Sequence, residues 1–387
     1  HVLLRFSIKE MGLKILSWNV NGLRSFKQPM KDFLDDLNAD IICIQETKIT
    51  RDMLTEDLAL VDGYTSYFAF SRRRSGYSGV ATFTKLSCTP MFAVEGLCGT
   101  LLNSRGSSAF LQQRSDEHYS SQYLQIFNRV VEAATAELDG SCTKQELKEL
   151  DSEGRAVITL HSVTETSSSG ERLVPLAIVN VYCPRADPTR DDRAEYKLQF
   201  YGVLRRRAAL MKAAGARVVV LGDVNTSHTV LDHCDPDPVE FNLNPGRHFL
   251  DSFLQKVTMD NRDDRTLRIV TQRSRQKQAQ DSQYLTSSKI DPIEHDSSED
   301  DAGEIKSSSI LKQSNDNSRE FKPEISLVLN SSTDYEGSGP VTSSNSKANL
   351  ESQTSWESFQ MIDTFRCLYP DKKDAFSCWK KKKKKKK

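Results

Sequence analysis

Oxygen-bearing side chains follow three apolar, β-prone runs of this chain, at the points where strands should end. The three segments are S-W-N-V-N-G at 17–22, I-Q-E-T-K at 44–48 and L-G-D-V-N at 221–225. A buried strand that stops on a carboxylate or an amide places an oxygen ligand at the edge of a sheet, and Mg²⁺ prefers such ligands. The sequence therefore predicts a divalent-cation site and metal-assisted cleavage of a phosphate ester. Five side chains are candidates to share the ion: Asn19, Asn21, Glu46, Asp223 and Asn225.

Each of these side chains also has an ordinary structural explanation. Glu46 could be a surface carboxylate or the start of a helix, although its neighbours in Q-E-T-K favour a ligand. Gly-Asp and Asn are common in turns, which would account for Asp223, Asn19 and Asn21 without a metal. The strand-like run before Asp223 and the Asn225 that follows it favour the site.

The elements that must position these side chains follow from hydrophobic periodicity. Strands are expected at 13–18, 39–45, 79–84, 155–161, 173–183 and 218–221. The fourth and fifth of these resemble an antiparallel pair joined by a Ser/Gly loop. Helices are expected at 31–38, near 144–150 and at 191–215, the last with Gly215 as its C-cap. The rest of 95–150 looks less regular.

Composition limits the class of protein and the kind of DNA-binding surface. Of the 53 Lys and Arg residues, eight are the lysines at 380–387, which leaves 45 against 53 acidic residues. A DNA-binding face must therefore be a local patch. The eight cysteines lack C-x-x-C spacing, which indicates reduced thiols in an intracellular protein without a zinc site or disulfide framework. No apolar run of 18 residues occurs, so we expect no membrane span.

The composition also changes along the 387-residue chain. We expect 1–10 to be a non-native leader outside the fold, and 11–255 to be the first part of a catalytic domain. Residues 256–350 are rich in Ser, Asn, Gln and Asp and are expected to form a disordered low-complexity insertion. The catalytic domain would resume, truncated, at 351–379. The lysines at 380–387 follow an apolar segment directly, which favours read-through into a poly(A) tail over a nucleic-acid arm.

Several longer motifs give the chain a family resemblance. They are S-W-N-V-N-G-L-R at 17–24, A-D-I-I-C-I-Q-E-T-K at 39–48, F-S-R-R-R-S-G-Y-S-G-V-A-T-F at 70–83, L-D-S-E-G-R-A at 150–156, N-V-Y-C-P-R-A-D-P at 180–188, L-G-D-V-N-T-S-H at 221–228, N-P-G-R at 244–247, D-T-F-R-C at 363–367 and A-F-S-C-W at 375–379. In this order they resemble the class II AP endonucleases of the exonuclease III family. The Y-C-P and D-S-E-G-R-A segments favour the second eukaryotic branch of that family.

The resemblance implies a fold and a metal. The fold would be α/β, a four-layer α/β sandwich of two packed mixed sheets of the endonuclease/exonuclease/phosphatase type, incomplete at the C-terminus. Glu46 would be the metal ligand, helped by Asn19 or Asn21. The implied cofactor is Mg²⁺, with Mn²⁺ as the alternative, since an all-oxygen ligand set does not distinguish them.

The resemblance also implies a reaction. Tyr182, which the residues alone would place in the core, would touch the scissile phosphate, while Asp223 and Asn225 would handle the water, the metal or the leaving oxygen. The substrate would be double-stranded DNA, cut 5′ of abasic sites or trimmed at 3′ ends by exonuclease and phosphodiesterase action. Location in the nucleus follows from that substrate. A sliding clamp would be a partner only through a C-terminal tail that this sequence does not contain.

Basic side chains are the candidates for contact with DNA. Arg72, Arg73 and Arg74 form the strongest basic cluster, although such a run is also an ordinary solvated face. Arg185 stands where first-branch members carry Asn, so it is a candidate phosphate contact and not a catalytic residue. His228 is favoured as a structural hydrogen-bonding residue over a general base.

Two strings of the family, R-L-D-Y and S-D-H-x-P, do not occur in this chain. The second carries the histidine that is the usual general base, and general-base help is worth about 10²–10⁴-fold. We therefore expect this polypeptide to nick abasic DNA weakly or not at all. Two other classes remain open: a different phosphoesterase of the superfamily, such as a retrotransposon endonuclease, an inositol polyphosphate phosphatase or a sphingomyelinase, and a truncated product that binds DNA without cutting it.

Overall fold

Two mixed β-sheets lie against each other, and helices cover their outer faces. The computed structural model describes residues 2–6, 13–101, 119–138, 142–167, 170–186, 190–233, 237–254, 326–328 and 359–363. All of them belong to one compact unit. The four-layer α/β sandwich expected from the sequence is confirmed.

The first sheet has two parallel neighbouring strands that end at the same edge. Its strands are β1 (Val2–Phe6), β2 (Leu13–Asn19), β3 (Ile41–Gln45), β4 (Tyr64–Ala69) and β5 (Val80–Lys85), in the order β1-β2-β3-β5-β4. β2 and β3 are parallel, with Asn19 opposite Gln45. Glu46 is the first residue after β3.

The second sheet repeats this arrangement. Its strands are β6 (Phe92–Glu95), β7 (Ala156–Ser167), β8 (Gly170–Tyr182), β9 (Arg217–Asp223), β10 (Ser326–Val328) and β11 (Ile362–Asp363), in the order β11-β10-β9-β8-β7-β6. β8 and β9 are parallel, with Tyr182 opposite Asp223. Both sheets therefore place polar residues at the carboxyl ends of adjacent parallel strands.

Alternation along each strand divides the apolar residues between two cores. In β9, Val219 and Leu221 face the first sheet, whereas Val218 and Val220 face the helices on the outer side. The core between the sheets contains Leu13, Ile15, Ile41, Cys43, Leu176, Ile178, Val219 and Leu221.

The described residues include helices α1 (Met30–Leu37), α2 (Glu56–Ala59), α3 (Ser121–Thr135), α4 (Lys144–Ser152), α5 (Asp191–Ala213), α6 (Pro238–Leu243) and α7 (Pro245–Phe253). α1 packs on the first sheet through Phe33 and Leu34, while α3 and α5 pack on the second through Phe127 and Phe200. Gly215 follows α5 with φ of 109°, and its N–H donates to the Lys212 carbonyl, as expected for a glycine that ends a helix. No helix in the described ranges is long and apolar enough to cross a bilayer.

The helix α3 lies where the sequence suggested little regular structure. Its buried residues have the spacing of a helical face. They include Tyr123, Phe127, Val130, Val131 and Ala134. The Ser- and Gly-rich residues that precede this segment obscured the period in the sequence.

Two short strands also differ from the expected division of the chain. Val2–Phe6, expected to lie outside the fold, pairs antiparallel with β2. Ser326–Val328, inside the expected insertion, pairs antiparallel with β9. Each extends a sheet at an edge, where unpaired backbone groups favour the addition of a strand. The remainder of 256–350, and residues 380–387, lie outside the described residues.

Candidate active site

The strand faces between the two sheets change from apolar to polar toward one edge of the sandwich. On β8, Ile178 is followed on the same face by Asn180 and Tyr182, and on β9 Leu221 is followed by Asp223. Because alternate residues of a strand share a face, these polar side chains point into the space between the sheets.

Asn19 joins the two candidate carboxylates across the sheets. Its Nδ2 donates to Glu46 Oε1 and to Asp223 Oδ2, at 2.8 Å in each case. Since both oxygens lie 2.8 Å from one nitrogen, they are at most 5.6 Å apart, twice that distance. Asn19 Oδ1 in turn accepts the Asn21 N–H at 3.0 Å. Glu46 and Asp223 are therefore close enough to share one hydrated cation.

The backbone turns sharply where the strands deliver these side chains. Asn21, Glu46 and Asn225 have left-handed conformations, with φ of 53°, 55° and 54°. Such conformations cost roughly 1–3 kcal/mol each in non-glycine residues and persist where the surroundings hold them. Gly222 has φ of 135°, and a Cβ there would lie 1.9 Å from the Val181 carbonyl oxygen. Glycine is therefore required just before Asp223.

Glu46 is held by several hydrogen-bond donors. In addition to Asn19, Lys48 Nζ lies 2.8 Å from Oε2, and the Tyr182 hydroxyl donates to the carboxylate. Burial raises the pKa of Glu46, but these hydrogen bonds outweigh it and the pKa is lowered overall. Burial and the charge of Glu46 raise the pKa of Tyr182. The site thus combines an ionised carboxylate with a phenol that keeps its proton.

The pKa of Asp223 is shifted in the opposite direction and is raised. Burial raises its pKa, and the charge of Glu46 raises it further, against hydrogen bonds from Asn19 and from the Asn225 N–H at 2.9 Å. Two carboxylates so close together disfavour ionisation of both, and a cation beside them would relieve that repulsion. The carboxylate and amide oxygens present are suited to a divalent cation such as Mg²⁺. Among the described residues, no group of three or more His, Cys, Asp or Glu is placed to hold a metal ion.

The remaining sequence candidates lie beside this group. Asn225 Nδ2 donates to the Cys183 carbonyl at 2.8 Å, and the Asn225 carbonyl accepts from Lys197 Nζ at 2.7 Å. Lys197 is buried, which lowers its pKa to about 8. Asn21 is exposed at the rim, where Lys48 Nζ donates to its Oδ1. The structure therefore joins Asn19, Glu46, Tyr182 and Asp223 directly, with Asn225 adjacent and Asn21 linked only through Asn19 and Lys48.

Behind the site, an inter-sheet cluster of four buried polar side chains joins the two sheets: Ser17, Gln45, Thr82 and Asn180. Gln45 Nε2 donates to Asn180 Oδ1 at 2.8 Å and to Ser17 Oγ at 3.1 Å. Asn180 Nδ2 donates to Thr82 Oγ1 at 3.2 Å. Gln45 directly precedes Glu46, and Asn180 stands two residues before Tyr182 on the same face. The cluster therefore fixes the register between the strands that carry the site.

Comparison with known proteins identifies the family. Residues 16–266 match the Endonuclease/Exonuclease/phosphatase family. The chain belongs to this family. Within it, the chain is similar to the DNA-(apurinic or apyrimidinic site) endonuclease 2 of Xenopus laevis, with 48% identity over 243 residues, which are 62% of this chain and 42% of that protein. It is also similar to the human protein of the same name, with 42% identity over 259 residues, 63% of this chain and 45% of that protein.

The chain spans less than half the length of these curated relatives. Among solved structures, the crystal structure of the Xenopus laevis APE2 catalytic domain matches with a TM-score of 0.50 and 45% identity, covering 62% of this chain and 68% of that one. The resemblance to AP endonucleases that the motifs suggested is confirmed by this similarity.

The four arginines expected to contact DNA differ in their contacts with the rest of the protein. Arg72 donates through Nη1 and Nη2 to the two carboxylate oxygens of Glu95, at 2.7 Å each. Arg74 lies over a tyrosine ring, with 4.0 Å from Cζ to the ring centroid. Arg73 and Arg185 are exposed. Arg72 is therefore engaged by a bidentate pair, and Arg73 Nη1 also lies 3.8 Å from Glu153 Oε1. Arg74 and Arg185 are better placed to meet a phosphate.

The structure adds functional candidates that the sequence reasoning did not single out. Lys48 and Arg155 stand inside the quoted motifs Q-E-T-K and D-S-E-G-R-A, so the motifs contained the signal for both. Lys197 carried no signal, because a lysine on a long helix is usually exposed. His228 Nε2 lies 3.4 Å from Asp251 Oδ1, a contact that suits the structural role expected for it.

Proposed function

We propose that this protein is a metal-dependent DNA repair nuclease. It would hydrolyse the phosphodiester on the 5′ side of abasic sites and trim 3′ ends by exonuclease and phosphodiesterase action. The observation that carries the proposal is the meeting of Glu46 and Asp223 at Asn19, at strand ends of two different sheets. Membership of the family, and similarity to relatives named for apurinic or apyrimidinic sites, support DNA as the substrate.

Glu46 and Asp223 would hold the metal ion, which we propose to be Mg²⁺. When bound, such an ion offsets the charge of the phosphate and of the leaving oxygen. Asn19 keeps both carboxylates in place through its Nδ2. Asn19, Asn21 and Asn225 remain candidates for the further oxygen ligands.

Tyr182, Asp223 and Asn225 would act on the phosphate and on the attacking water. The raised pKa of Tyr182 keeps its hydroxyl protonated, so it can donate a hydrogen bond to a nonbridging phosphate oxygen. The Asp223 carboxylate, whose Oδ1 accepts the Asn225 N–H at 2.9 Å, would accept a hydrogen bond from the attacking water. Asn225, whose N–H already donates to Asp223, would help to orient the water.

The proposal is tested by incubating the 387-residue chain, in excess, with an end-labelled duplex that carries one tetrahydrofuran abasic analogue and with Mg²⁺. The sequence analysis predicts weak cleavage at most, so the reaction is followed over hours. We expect one cut on the 5′ side of the analogue, abolished by EDTA and by Glu46→Ala.

Glu165→Ala is the matched control, because Glu165 is also a partly buried glutamate with hydrogen bonds to cationic side chains. It pairs with Arg172, at the opposite end of β8 from Tyr182. At about 3.3 Å per residue, that separation is roughly 30 Å. A wild-type chain that leaves the duplex intact with either Mg²⁺ or Mn²⁺ would contradict the proposed activity. A Glu46→Ala chain that cuts like Glu165→Ala would contradict the proposed site.

Location in the nucleus follows from the proposed substrate and is part of the proposal. Imaging of the tagged chain in cells tests it, and exclusion from the nucleus would contradict it. The proposal that a sliding clamp is a partner rests on the sequence resemblance alone.

A further inference from the structure

Arg155 lies behind Tyr182 in a cluster of buried charged and aromatic side chains. The Arg155 side chain is 2% exposed. Nη1 donates to the Tyr182 carbonyl oxygen at 3.0 Å, and Cζ lies 4.9 Å from the centroid of the Tyr182 ring. Nε donates to Glu153 Oε2 at 2.7 Å, and Nη2 donates to the Tyr77 hydroxyl at 2.6 Å. One guanidinium therefore contacts both the backbone and the ring of Tyr182.

The other members of the cluster hold Arg155 in this orientation. Arg193 donates to Glu153 Oε1 at 2.9 Å and to the Tyr77 hydroxyl at 3.2 Å. Glu153 is buried among these arginines, and its pKa is lowered because their hydrogen bonds and charges outweigh the effect of burial. A buried carboxylate with two guanidinium partners is fixed in position, and so are the groups bonded to it.

The backbone around Arg155 is equally constrained. Gly154 has φ of 63°, and a Cβ at that position would lie 2.4 Å from the Phe70 carbonyl oxygen. The segment that carries Arg155 is thus pressed against the start of the loop that carries Arg72 to Arg74. Since each guanidinium nitrogen of Arg155 already donates within the protein and the side chain is buried, it is not arranged to bind DNA directly.

We propose that Arg155 is a positioning residue that orients the Tyr182 phenol toward Glu46 and the phosphate. The inference about orientation rests on contacts within the chain, and the expected effect on rate rests on the proposed function. A lysine at 155 would keep the charge but would lose the fork of donors that contacts Glu153, Tyr77 and Tyr182 together. Arg155→Lys therefore tests the orientation of the Tyr182 phenol while the positive charge at position 155 is kept.

The orientation is tested without DNA by ¹⁹F NMR of the full chain labelled with 3-fluorotyrosine. The chain has 11 tyrosines, and the Tyr182 resonance is assigned as the one missing from Tyr182→Phe. We expect Arg155→Lys to shift and broaden this resonance. Tyr77→Phe, a milder change that removes one acceptor of Arg155, should move it in the same direction. A Tyr182 resonance unchanged in both variants would overturn the inference.

The consequence for the reaction is tested by a double-mutant cycle with the abasic duplex under single-turnover conditions. We expect Arg155→Lys to lower the maximal rate constant by about 10²-fold, the cost of a misplacement of about 1 Å, with the half-saturating DNA concentration unchanged. In the Tyr182→Phe background the same change should cause little further loss, because coupled residues are not additive. Independent, multiplicative losses would overturn the inference.

Arg207→Lys is the matched control. Arg207 is also fully buried and also donates to backbone carbonyls, namely those of Leu97, Ala133 and Ala136. It should lower the melting temperature as Arg155→Lys does, but leave the Tyr182 resonance and the rate per folded molecule unchanged. If Arg155→Lys and Arg207→Lys behave alike, the role of Arg155 is only structural. If the resonance shifts as expected while the wild-type chain leaves abasic DNA intact, the orientation is supported and the proposed function fails.

Discussion

Replacement of Asn180 should destabilise the packing of the two sheets, because this side chain forms many of the hydrogen bonds of the inter-sheet cluster. Asn180 accepts from Gln45 at 2.8 Å and donates to the Ala81 carbonyl at 2.9 Å, to Thr82 Oγ1 at 3.2 Å and to the Ile44 carbonyl at 3.4 Å. Leucine has a similar volume but no polar atoms. Because Nδ2 has two hydrogens, the long contact with Ile44 shares one of them and three hydrogen bonds count. At about 1 kcal/mol for each, Asn180→Leu should destabilise the protein by about 3 kcal/mol. That loss corresponds to a decrease in melting temperature of roughly 10 °C.

Urea unfolding followed by circular dichroism measures this loss. Asn180→Leu should lower the midpoint with an unchanged slope, since the surface exposed on unfolding stays the same. Gln45→Leu/Asn180→Leu should lose less than the sum of the two single variants, because it removes both partners and leaves fewer buried groups unpaired. Ile178→Val, on the same face of β8, is the packing control and should cost about 1 kcal/mol.

The same substitution should also weaken metal binding, since Gln45 and Asn180 hold the strands that carry Glu46 and Tyr182. We expect Mg²⁺ to raise the melting temperature of the wild type, and this increase should become smaller in Asn180→Leu and persist in Ile178→Val. An Asn180→Leu protein within about 1 kcal/mol of the wild type would refute the reasoning, as would losses that simply add in the double variant.

Three further predictions concern charge. Asp223 has a raised pKa, so its protonated form is favoured in the folded protein and stability is lost as the pH rises through that pKa. Without metal, Asp223→Asn should therefore raise the melting temperature at pH 7, and this increase should become smaller toward pH 4. The same substitution should abolish cleavage. Burial lowers the pKa of His161 to about 4, so stability should decrease as the pH falls below 6.5, by roughly 2 kcal/mol at pH 5, and His161→Gln should remove this decrease in urea unfolding. For DNA binding measured by anisotropy at several salt concentrations, Arg74→Ala and Arg185→Ala should each reduce the salt slope by about 1, whereas Arg72→Ala should not. A free energy of unfolding that does not change from pH 7 to pH 5 would contradict the prediction for His161. A reduced salt slope of DNA binding for Arg72→Ala would contradict the prediction for the arginines.

The candidate site could be predicted from the sequence because its residues follow from strand ends. Asn19, Glu46 and Asp223 each stand at or directly after the last residue of a buried strand, whereas Tyr182, which also ends a strand, became a candidate only through the family resemblance. The carboxyl ends of adjacent parallel strands meet at one edge, so local patterns carried long-range information. The sequence did not predict helix α3, because the hydrophobic periodicity of this helix begins only after a stretch of residues without periodicity.

The partners of the charged residues could not be predicted, because they depend on contacts between distant segments. Arg72 pairs with Glu95, 23 residues away, and Arg155 reaches Tyr77, 78 residues away. Both arginines stand in short motifs next to other polar residues, and the sequence grouped Arg72 with Arg73 and Arg74 as one basic cluster. A guanidinium that already forms a bidentate pair must give up that pair to bind a phosphate, so it contributes less to DNA binding than an exposed one. The difference in salt slope between Arg72 and Arg74 therefore tests whether tertiary contacts decide which members of a basic run meet DNA.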